Sequence, residues 1–471
     1  MPPPPAHVFR SHSYPVHCSA FSTDNHLLHA GDEEGWVTIT DLQAKRVVAH
    51  WKAHEAGVLG VADWQGGIVS HGRDNIIHFH APLDLSSTPS QPTLSPKATP
   101  SSSKAVATTN GYRNLLSPPH IIRSLPVNSL NFCGFHLIPI PTGYEPDIPV
   151  VEGLGTDKLD GSGKGEDEPG KLVQDRFMRR WNAAQGLLAV PNLTDSETID
   201  IYHVPSFGRL HAAVSSRAKA PAQAQREGKP RTGLVMSTHL YFTTTETPSA
   251  KATPLTGHPA IANGIDQPST LEPTESTQSP VLRLVAAFED GRVEHWECRD
   301  WSKRTDPRMR GASESSTELS GWHNLWTQKG HNEAIMAMAV SPTLDYAYTV
   351  SADHQVVKYD LQQSASVPGD VQPSPARYPT KQIGNAAVAV SPDGRVVAVG
   401  GWDGRKSAEQ ADTSDEASVI DVVQEDEGNS SSDDDHDSAR RGGKEDVMRW
   451  MVTGGKDRRV ALWQLKDFSR R

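Results

Sequence analysis

The sequence predicts an all-β fold assembled from repeated units of short strands, and three features of the chain support this prediction. The 471 residues include 37 glycines and 35 prolines, which favour turns over helical bundles. A pattern of apolar stretch, polar turn and second apolar stretch recurs along the chain. Long polar segments separate the recurring pieces. Self-similar units of four short strands are typical of a ring of small sheets, so we predict a β-propeller.

The recurring piece has the features of a β-hairpin. Its turn is rich in Asp, Gly, Asn and Glu, which tolerate left-handed backbone or bond to their own backbone. The copies are residues 32–41, 68–80, 188–202, 284–296, 348–360 and 451–463. Seven units are predicted, and they begin near His12, Lys52, Leu125, Arg231, Lys329, Tyr378 and Val447. We therefore expect one seven-bladed propeller domain over residues 1–471, closed by an outer strand within Ala6–Arg10 beside the strands that end at Trp463.

Low-complexity inserts interrupt the units and are expected to be disordered loops. They cover about residues 85–107, 142–171, 215–231, 243–280, 302–320 and 362–376, together with an acidic insert at 406–446. These segments are poor in the apolar side chains that offset the entropy cost of ordering. The acidic insert carries 14 Asp or Glu and 4 Lys or Arg, so it accounts for −10 of the chain's net charge of −11. The rest of the chain is nearly neutral, which argues against direct nucleic-acid binding.

The sixth and seventh blades are expected to be incomplete. After Arg405 a propeller needs two more strands of the sixth blade and the first strand of the seventh, but the chain enters the acidic insert instead. Either the ring is irregular, or an exon is missing from the coding sequence. We favour the missing exon, because both flanking segments match the repeat well.

One unit resembles the WD-repeat family. Its motifs are Gly330-His331, Ser341-Pro342, Thr349, Asp353 and Tyr359-Asp360, and His331 precedes Asp353 by 22 residues. The resemblance implies that these units carry hydrogen-bonded sets that stabilise each blade. The implied sets are His331, Thr349, Asp353 and Tyr359; then His54, Ser70, Asp74 and His80; and, in the last unit, Thr453, Asp457 and Trp463 without a His.

A narrower resemblance rests on segments outside the WD consensus. These are Gly35–Leu42, Arg123–Cys133, Leu187–Asn192, Thr198–Ser206, Gly233–Met236 and Gly454–Trp463, and together they resemble the fungal ASTRA-associated protein 1 family. The resemblance implies a non-enzymatic scaffold subunit of the ASTRA complex, which is linked to chromatin remodelling and to maturation of PI3-kinase-like kinases. The implied partners are a pseudokinase scaffold, HEAT-repeat cochaperones and AAA+ ATPases. It also implies a nuclear location, with the cytoplasm as a second one.

Two alternative functions stay open. Another WD-repeat adaptor, such as a ubiquitin-ligase substrate receptor or a histone-tail reader, would bind proteins through the same fold. A propeller hydrolase or metal enzyme would need converging polar residues. His71, His78 and His80 lie close to Asp74 and suit either a metal or ordinary blade positions, of which the second is favoured. The P-loop-like residues Gly161–Gly165 lack the Ser or Thr after Lys, so we interpret them as a linker. No cofactor is expected.

The remaining expectations concern single residues and surfaces. Ser430, Ser431 and Ser432 precede three aspartates and suit an acidophilic kinase, whereas the simpler interpretation is a solubilising loop. Trp181, Trp322 and Trp326 flank inserts and are either core residues or interface anchors. The glycosylation sequon at Asn192 is expected to be unused, and the cysteines to be reduced thiols. No apolar run is long enough to cross a membrane. We expect the inserts at 142–171, 243–280 and 302–320 to share one face, and the opposite face to bind the partner.

Overall fold

The protein is described by a computed structural model over part of its length. The described residues are 5–83, 115–130, 132–144, 146, 177–215, 233–245, 279–303, 321–363, 374–380, 384–394, 396–401, 421–424 and 449–465. They form 26 strands in seven antiparallel sheets, together with a short helical segment at 177–183. Among these residues, no helix is both long and apolar enough to span a membrane.

Five of the sheets have four strands that pair in chain order. The first two sheets are β2 (Val16–Phe21), β3 (Leu27–Asp32), β4 (Trp36–Asp41) and β5 (Arg46–Lys52), then β6 (Val58–Trp64), β7 (Gly67–Gly72), β8 (Ile76–His80) and β9 (Ile121–Pro126). The third sheet is β10 (His136–Pro139), β11 (Gly186–Pro191), β12 (Ile199–Val204) and β13 (Arg209–Val214). The fourth and fifth sheets are β14 (Val235–Thr245), β15 (Ser279–Phe288), β16 (Arg292–Cys298) and β17 (Trp322–Lys329), then β18 (Ile335–Val340), β19 (Tyr346–Ser351), β20 (Gln355–Asp360) and β21 (Ala376–Pro379).

The other two sheets have three described strands each. One contains β22 (Asn385–Val390), β23 (Val396–Gly401) and β24 (Asp421–Gln424), and the other β25 (Arg449–Gly454), β26 (Val460–Leu465) and β1 (His7–Phe9). The all-β propeller class is therefore confirmed. The count of seven full blades is not, because the described residues give five four-stranded sheets and two three-stranded ones.

The first and last parts of the chain meet in one sheet. Strand β1 pairs antiparallel with β26, so that His7 lies opposite Leu462 and Phe9 opposite Val460. The backbone N–H of Ala6 also donates to the Leu462 carbonyl at 2.8 Å. The prediction of an outer strand within Ala6–Arg10 is confirmed. This pairing also covers an edge of β26 that would otherwise be exposed.

Strands of the structure extend into three of the predicted inserts. The acidic insert 406–446 contains strand β24, which pairs with β23 through residues 396–399. This strand coincides with two adjacent valines that interrupt the acidic run, and valine favours strand geometry. The insert 243–280 is shorter at both ends, because β14 runs to Thr245 and β15 starts at Ser279. The insert 362–376 ends one residue early, because β21 starts at Ala376. Apart from β24, the central parts of the inserts lie outside the described residues.

The core lies between sheets, in a chain of six apolar clusters that each join two consecutive sheets. Phe79 of β8, for example, packs with Leu188 of β11 in one cluster, beside Trp181 of the helical segment. Trp322 and Trp326 are also buried, and the Trp326 ring stacks nearly parallel to Tyr359 of the next sheet. All three tryptophans are thus core residues and not exposed interface anchors.

Candidate functional site

The antiparallel order of the strands gives the ring two distinct faces. Turns after the first and third strands of a sheet leave on one face. Turns after the second strand, and the links to the next sheet, leave on the other. His12, His54 and His331 lie in these links, so we call the second side the histidine face. On this face the backbone N–H of His54 donates to the Gly35 carbonyl of the preceding sheet at 3.1 Å. The N–H of His331 donates to the Gly291 carbonyl in the same way, at 3.2 Å.

The other side is the Trp301 face, where three insert roots meet on one side chain. The indole Nε1–H of Trp301 donates to the Pro280 carbonyl at 3.0 Å, and its ring lies 4.9 Å from that of Phe242 and 6.3 Å from that of Tyr144. These residues are the roots of the inserts at 142–171, 243–280 and 302–320. The expected common face for the three is therefore confirmed at their roots. The inserts at 215–231 and 406–420 follow strands that end at the histidine face.

The set around His331 is a buried group of hydrogen-bonded side chains in the fifth sheet. The Nδ1–H of His331 donates to the Asp353 carboxylate at 2.9 Å, and its Nε2 accepts from the Thr349 hydroxyl at 2.8 Å. The Asp acceptor determines this tautomer, because a carboxylate can only accept. The hydroxyl of Tyr359, the fourth predicted member, is buried without a hydrogen-bond partner among the described residues, so it is not joined to the set, and burial raises its pKa. Gly330 is required here, because a Cβ at this position would collide with the hydroxyl of Tyr359.

In the second sheet, hydrogen bonds join all four residues of the set predicted around His54. The His54 Nδ1–H donates to Asp74 at 3.1 Å, and the Ser70 hydroxyl donates to His54 Nε2 at 2.9 Å. The His80 Nε2–H then donates to Ser70 at 3.0 Å, so that His80 stands where the WD pattern has Trp. Burial lowers the pKa of His80 to about 3 and also lowers that of His54. Both rings are therefore neutral at pH 7.

The last unit is only partly joined. The Trp463 Nε1–H donates to the Thr453 hydroxyl at 3.0 Å, whereas Asp457 accepts from the backbone N–H of Arg459 in its own turn. The structure thus brings Thr453 and Trp463 together, and places Asp457 in the turn that connects their strands.

A further set in the first sheet was missed by the sequence reasoning. The His12 Nδ1–H donates to Asp32 at 3.0 Å, and the Thr38 hydroxyl donates to His12 Nε2 at 2.9 Å. Asp32 also accepts from the backbone N–H groups of Glu34 and Trp36, which closes the turn. The available signal was the 20-residue spacing from His12 to Asp32, obscured because the hydroxyl partner Thr38 lies on the third strand of its sheet, whereas Ser70 and Thr349 lie on the second.

Ser70, His54 and Asp74 have the connectivity of a hydrolase triad, but the arrangement cannot act as one. The Ser70 side chain is fully buried and its hydroxyl also accepts from His80, so no substrate reaches it. The set therefore stabilises the sheet. Each nearby His has a serine partner as well, since His71 bonds to Ser129 and His78 to Ser124. Within the described residues, no three His, Cys, Asp or Glu side chains come together as a metal site.

The cysteines and the asparagine of the sequon have structural roles. Cys18, Cys133 and Cys298 are free thiols, and burial raises the pKa of each to about 12, so they stay protonated. The Asn192 side-chain amide donates to the buried Asp200 carboxylate at 2.8 Å, which leaves it unavailable for glycosylation in the folded chain. The residues Gly161–Gly165 and Ser430, Ser431 and Ser432 lie outside the described residues.

The histidine face carries an exposed apolar patch that the sequence did not indicate. It consists of Leu130, Phe132 and Leu193, which are 77%, 57% and 54% exposed. Large apolar side chains at this exposure, on two loops that a hydrogen bond from Asn128 to the Asn192 carbonyl joins, mark a candidate interaction site. Leu130 and Phe132 lie in the link from β9 to β10, and Leu193 lies in the turn from β11 to β12. We refer to these three residues as the apolar patch.

Hydrogen bonds hold the two loops of the apolar patch together. The Asn128 side-chain amide donates to the Asn192 carbonyl and to the Ser196 hydroxyl, both at 2.9 Å. The Arg73 guanidinium lies over the Phe132 ring at 4.9 Å from its centre, within the range of a cation–π contact. The patch therefore combines apolar side chains with one positive charge on a defined backbone.

Comparison with known proteins agrees with this fold. The model of the WD40 family (WD domain, G-beta repeat) matches residues 322–360 and 383–405. Three curated fungal relatives carry the name ASTRA-associated protein 1. The Aspergillus flavus protein is 25% identical over 98% of this chain and 98% of its own length. The Penicillium rubens protein is 26% identical over 89% of this chain and 78% of its length, and the Schizosaccharomyces japonicus protein is 21% identical over 98% and 99%.

These matches extend over both the blade sheets and the links between them. They therefore include Arg123–Cys133, the segment that carries two residues of the apolar patch. The strand pairing, the buried His sets and the matched repeats all indicate the same architecture. The chain is a WD-repeat β-propeller and is similar, over almost its whole length, to fungal proteins that carry the name ASTRA-associated protein 1.

Proposed function

We propose that this chain is a non-catalytic scaffold subunit of the ASTRA complex and acts by binding other protein subunits. The observation that carries the proposal is the apolar patch on the histidine face, which is rigidly held and open to solvent. The triad-like polar set is buried, and the described thiols are protonated. A propeller with this distribution of side chains suits binding better than catalysis.

Within that role, the partners are a pseudokinase scaffold, HEAT-repeat cochaperones and AAA+ ATPases. The support is the name shared by relatives that match almost the whole chain. The proposed consequence is a contribution to chromatin remodelling and to the maturation of PI3-kinase-like kinases. Depletion of the chain would then lower the steady-state amount of those kinases, with their messenger RNA unchanged.

The proposal includes a ring of seven blades. Its support is that the described strands already fall into seven sheets, six of whose junctions contain an apolar cluster. Cryo-electron microscopy of the purified complex tests the count directly. Seven blades around one axis are expected, and six would reject the count without affecting the scaffold role.

A tagged pull-down from the native cell, read by mass spectrometry, tests the scaffold role. The three partner classes are expected in stoichiometric amounts. Recovery of a cullin adaptor, or of histone tails alone, would assign the chain to another class of WD-repeat adaptor. Recovery of no stoichiometric partner would reject the proposal altogether.

The chain is further proposed to act in the nucleus, with the cytoplasm as a second location. Fluorescence microscopy of the tagged chain in its native cell tests this location. A signal confined to any other compartment would contradict it.

A further inference from the structure

We propose that the apolar patch, together with Arg73, docks a partner segment that presents an apolar side chain next to a carboxylate. This inference rests on the proposed scaffold function and deepens it, because it assigns the binding site and the chemistry of the bound segment.

The loop that carries the patch is built to hold two side chains out of the core. The backbone N–H of Val127 donates to the Asn75 carbonyl at 2.9 Å, and that of Ser129 donates to the Asn75 side-chain oxygen at 3.0 Å. The N–H of Leu130 is bonded to the Asn128 side chain at 3.0 Å. A loop that is bonded this closely cannot fold Leu130 inward without losing these bonds.

Side chains within the same loop have well-defined positions as well. The buried Ser129 hydroxyl bonds to His71 of β7 at 2.7 Å, and the Cys133 side chain is fully buried. The loop is thus anchored on both sides of Leu130 and Phe132. Because the loop is already ordered before a partner binds, little conformational entropy is lost on binding. Most of the contact energy of these side chains therefore contributes to affinity.

The charge beside the patch selects the partner's chemistry. Arg73 is exposed and lies against Phe132, and no carboxylate among the described residues is within ion-pair distance of its guanidinium. Asp74, the next residue, is instead bonded to His54. A guanidinium on the rim of an apolar site pairs best with a carboxylate, which it binds through two parallel hydrogen bonds. An acidic and apolar segment therefore fits, whereas a basic segment such as a histone tail is disfavoured.

Photo-crosslinking identifies the occupant of the patch. A benzophenone amino acid is placed at Phe132 in the full-length chain, in its native cell, and the crosslinked peptide is sequenced. We expect a peptide from another protein in which Asp or Glu lies within four residues of Leu, Ile, Phe or Met. Crosslinks to the chain's own acidic insert 406–446, to a second copy of the chain, or to a peptide without a carboxylate would each overturn the inference.

A charge exchange then tests the role of Arg73. The variant Arg73→Glu is expected to weaken binding of the crosslinked partner by about tenfold or more. Replacing the partner's carboxylate by Lys is expected to restore most of that loss with Arg73→Glu, but to weaken binding to the unchanged chain. Absence of such restoration contradicts the proposed pairing.

A matched variant separates this inference from the proposed function. Ile121 is 49% exposed on the outer strand β9 of the same sheet, outside the apolar patch. Phe132→Asp should lose partner binding, and Ile121→Asp should keep it, while both stay folded by circular dichroism. If the unchanged chain recovers its partners and Phe132→Asp does so equally, the docking site is rejected and the scaffold function stands. If the unchanged chain recovers none, the scaffold function itself fails.

Discussion

At the scale of single residues, buried histidines hold the sheets through hydrogen bonds to aspartate carboxylates. His12, His54 and His331 each donate one ring N–H to an aspartate and accept from a hydroxyl with the other nitrogen. The WD pattern predicted the second and third of these pairings. It missed the first, because its hydroxyl partner lies on the third strand of the sheet and not on the second.

Removing one aspartate from such a set should destabilise the fold. Asp353→Ala leaves the buried His331 Nδ1–H without its acceptor, so we expect a loss of about 1–3 kcal/mol in the free energy of unfolding. Asp300→Ala is the control, because Asp300 is largely exposed in a surface ion pair with Lys303 and should change stability by less than about 0.5 kcal/mol. Urea denaturation compares the two variants. Equal midpoints would show that the hydrogen bond from His331 to Asp353 does not stabilise the fold.

The buried histidines should also make stability depend on pH. Burial lowers the pKa of His71, His80 and His295 to about 3, from the ordinary histidine value of 6.5. The unfolded chain then binds more protons than the folded one between these values, so stability rises with pH there. We expect it to fall steadily as the pH drops from 6.5 towards 4. In His80→Gln, the free energy of unfolding should depend less steeply on pH, as measured by denaturant titrations at several pH values. An unchanged dependence on pH would contradict this assignment.

At the scale of elements, the hairpin turns could be predicted from the sequence, whereas the exposure of side chains in loops could not. Hairpins such as residues 284–296 were predictable because their turn and strand residues are neighbours in the chain. Strand β24 was missed because its four residues lie within an acidic run. The exposure of Leu130 was unpredictable, because it depends on a bond from Asn128 to Asn192, 64 residues away.

Two glycines with similar backbone angles separate turn strain from contact between sheets. Gly35 and Gly66 have φ values of +90° and +83°, but a Cβ at Gly35 would collide with the His54 carbonyl of the next sheet. A Cβ at Gly66 has no atom within 4 Å. We expect Gly66→Ala to cost about 1 kcal/mol from backbone strain alone. Gly35→Ala should cost clearly more, by thermal denaturation, and similar losses would refute the close contact between sheets.

At the scale of the whole molecule, the ring depends on pairing between distant parts of the chain. Strand β1 pairs with β26, and Phe9 packs with Val460 and Leu462 in the cluster that joins the last sheet to the first. Phe9→Ala should therefore destabilise the entire domain by about 3–5 kcal/mol. Tyr14→Ala, at a partly exposed residue nearby, should have little effect. The measurement is the cooperative unfolding transition of the domain. If its midpoint is unchanged in Phe9→Ala, closure of the ring does not stabilise the fold.

The division of the ring into two faces could be anticipated from the order of strands and inserts. The exposed apolar residues of the histidine face could not be anticipated, because long-range hydrogen bonds determine which side chains are exposed. The fold was thus readable from local patterns, and the candidate site was not.

The most direct test of the scaffold account is a quantitative pull-down with the unchanged chain, Phe132→Asp and Ile121→Asp in parallel. Stoichiometric ASTRA subunits are expected with the unchanged chain and with Ile121→Asp, and a loss of about tenfold or more is expected with Phe132→Asp. Recovery of the same subunits in equal amounts with all three chains would contradict docking at the apolar patch. Recovery of none with the unchanged chain would contradict the scaffold function.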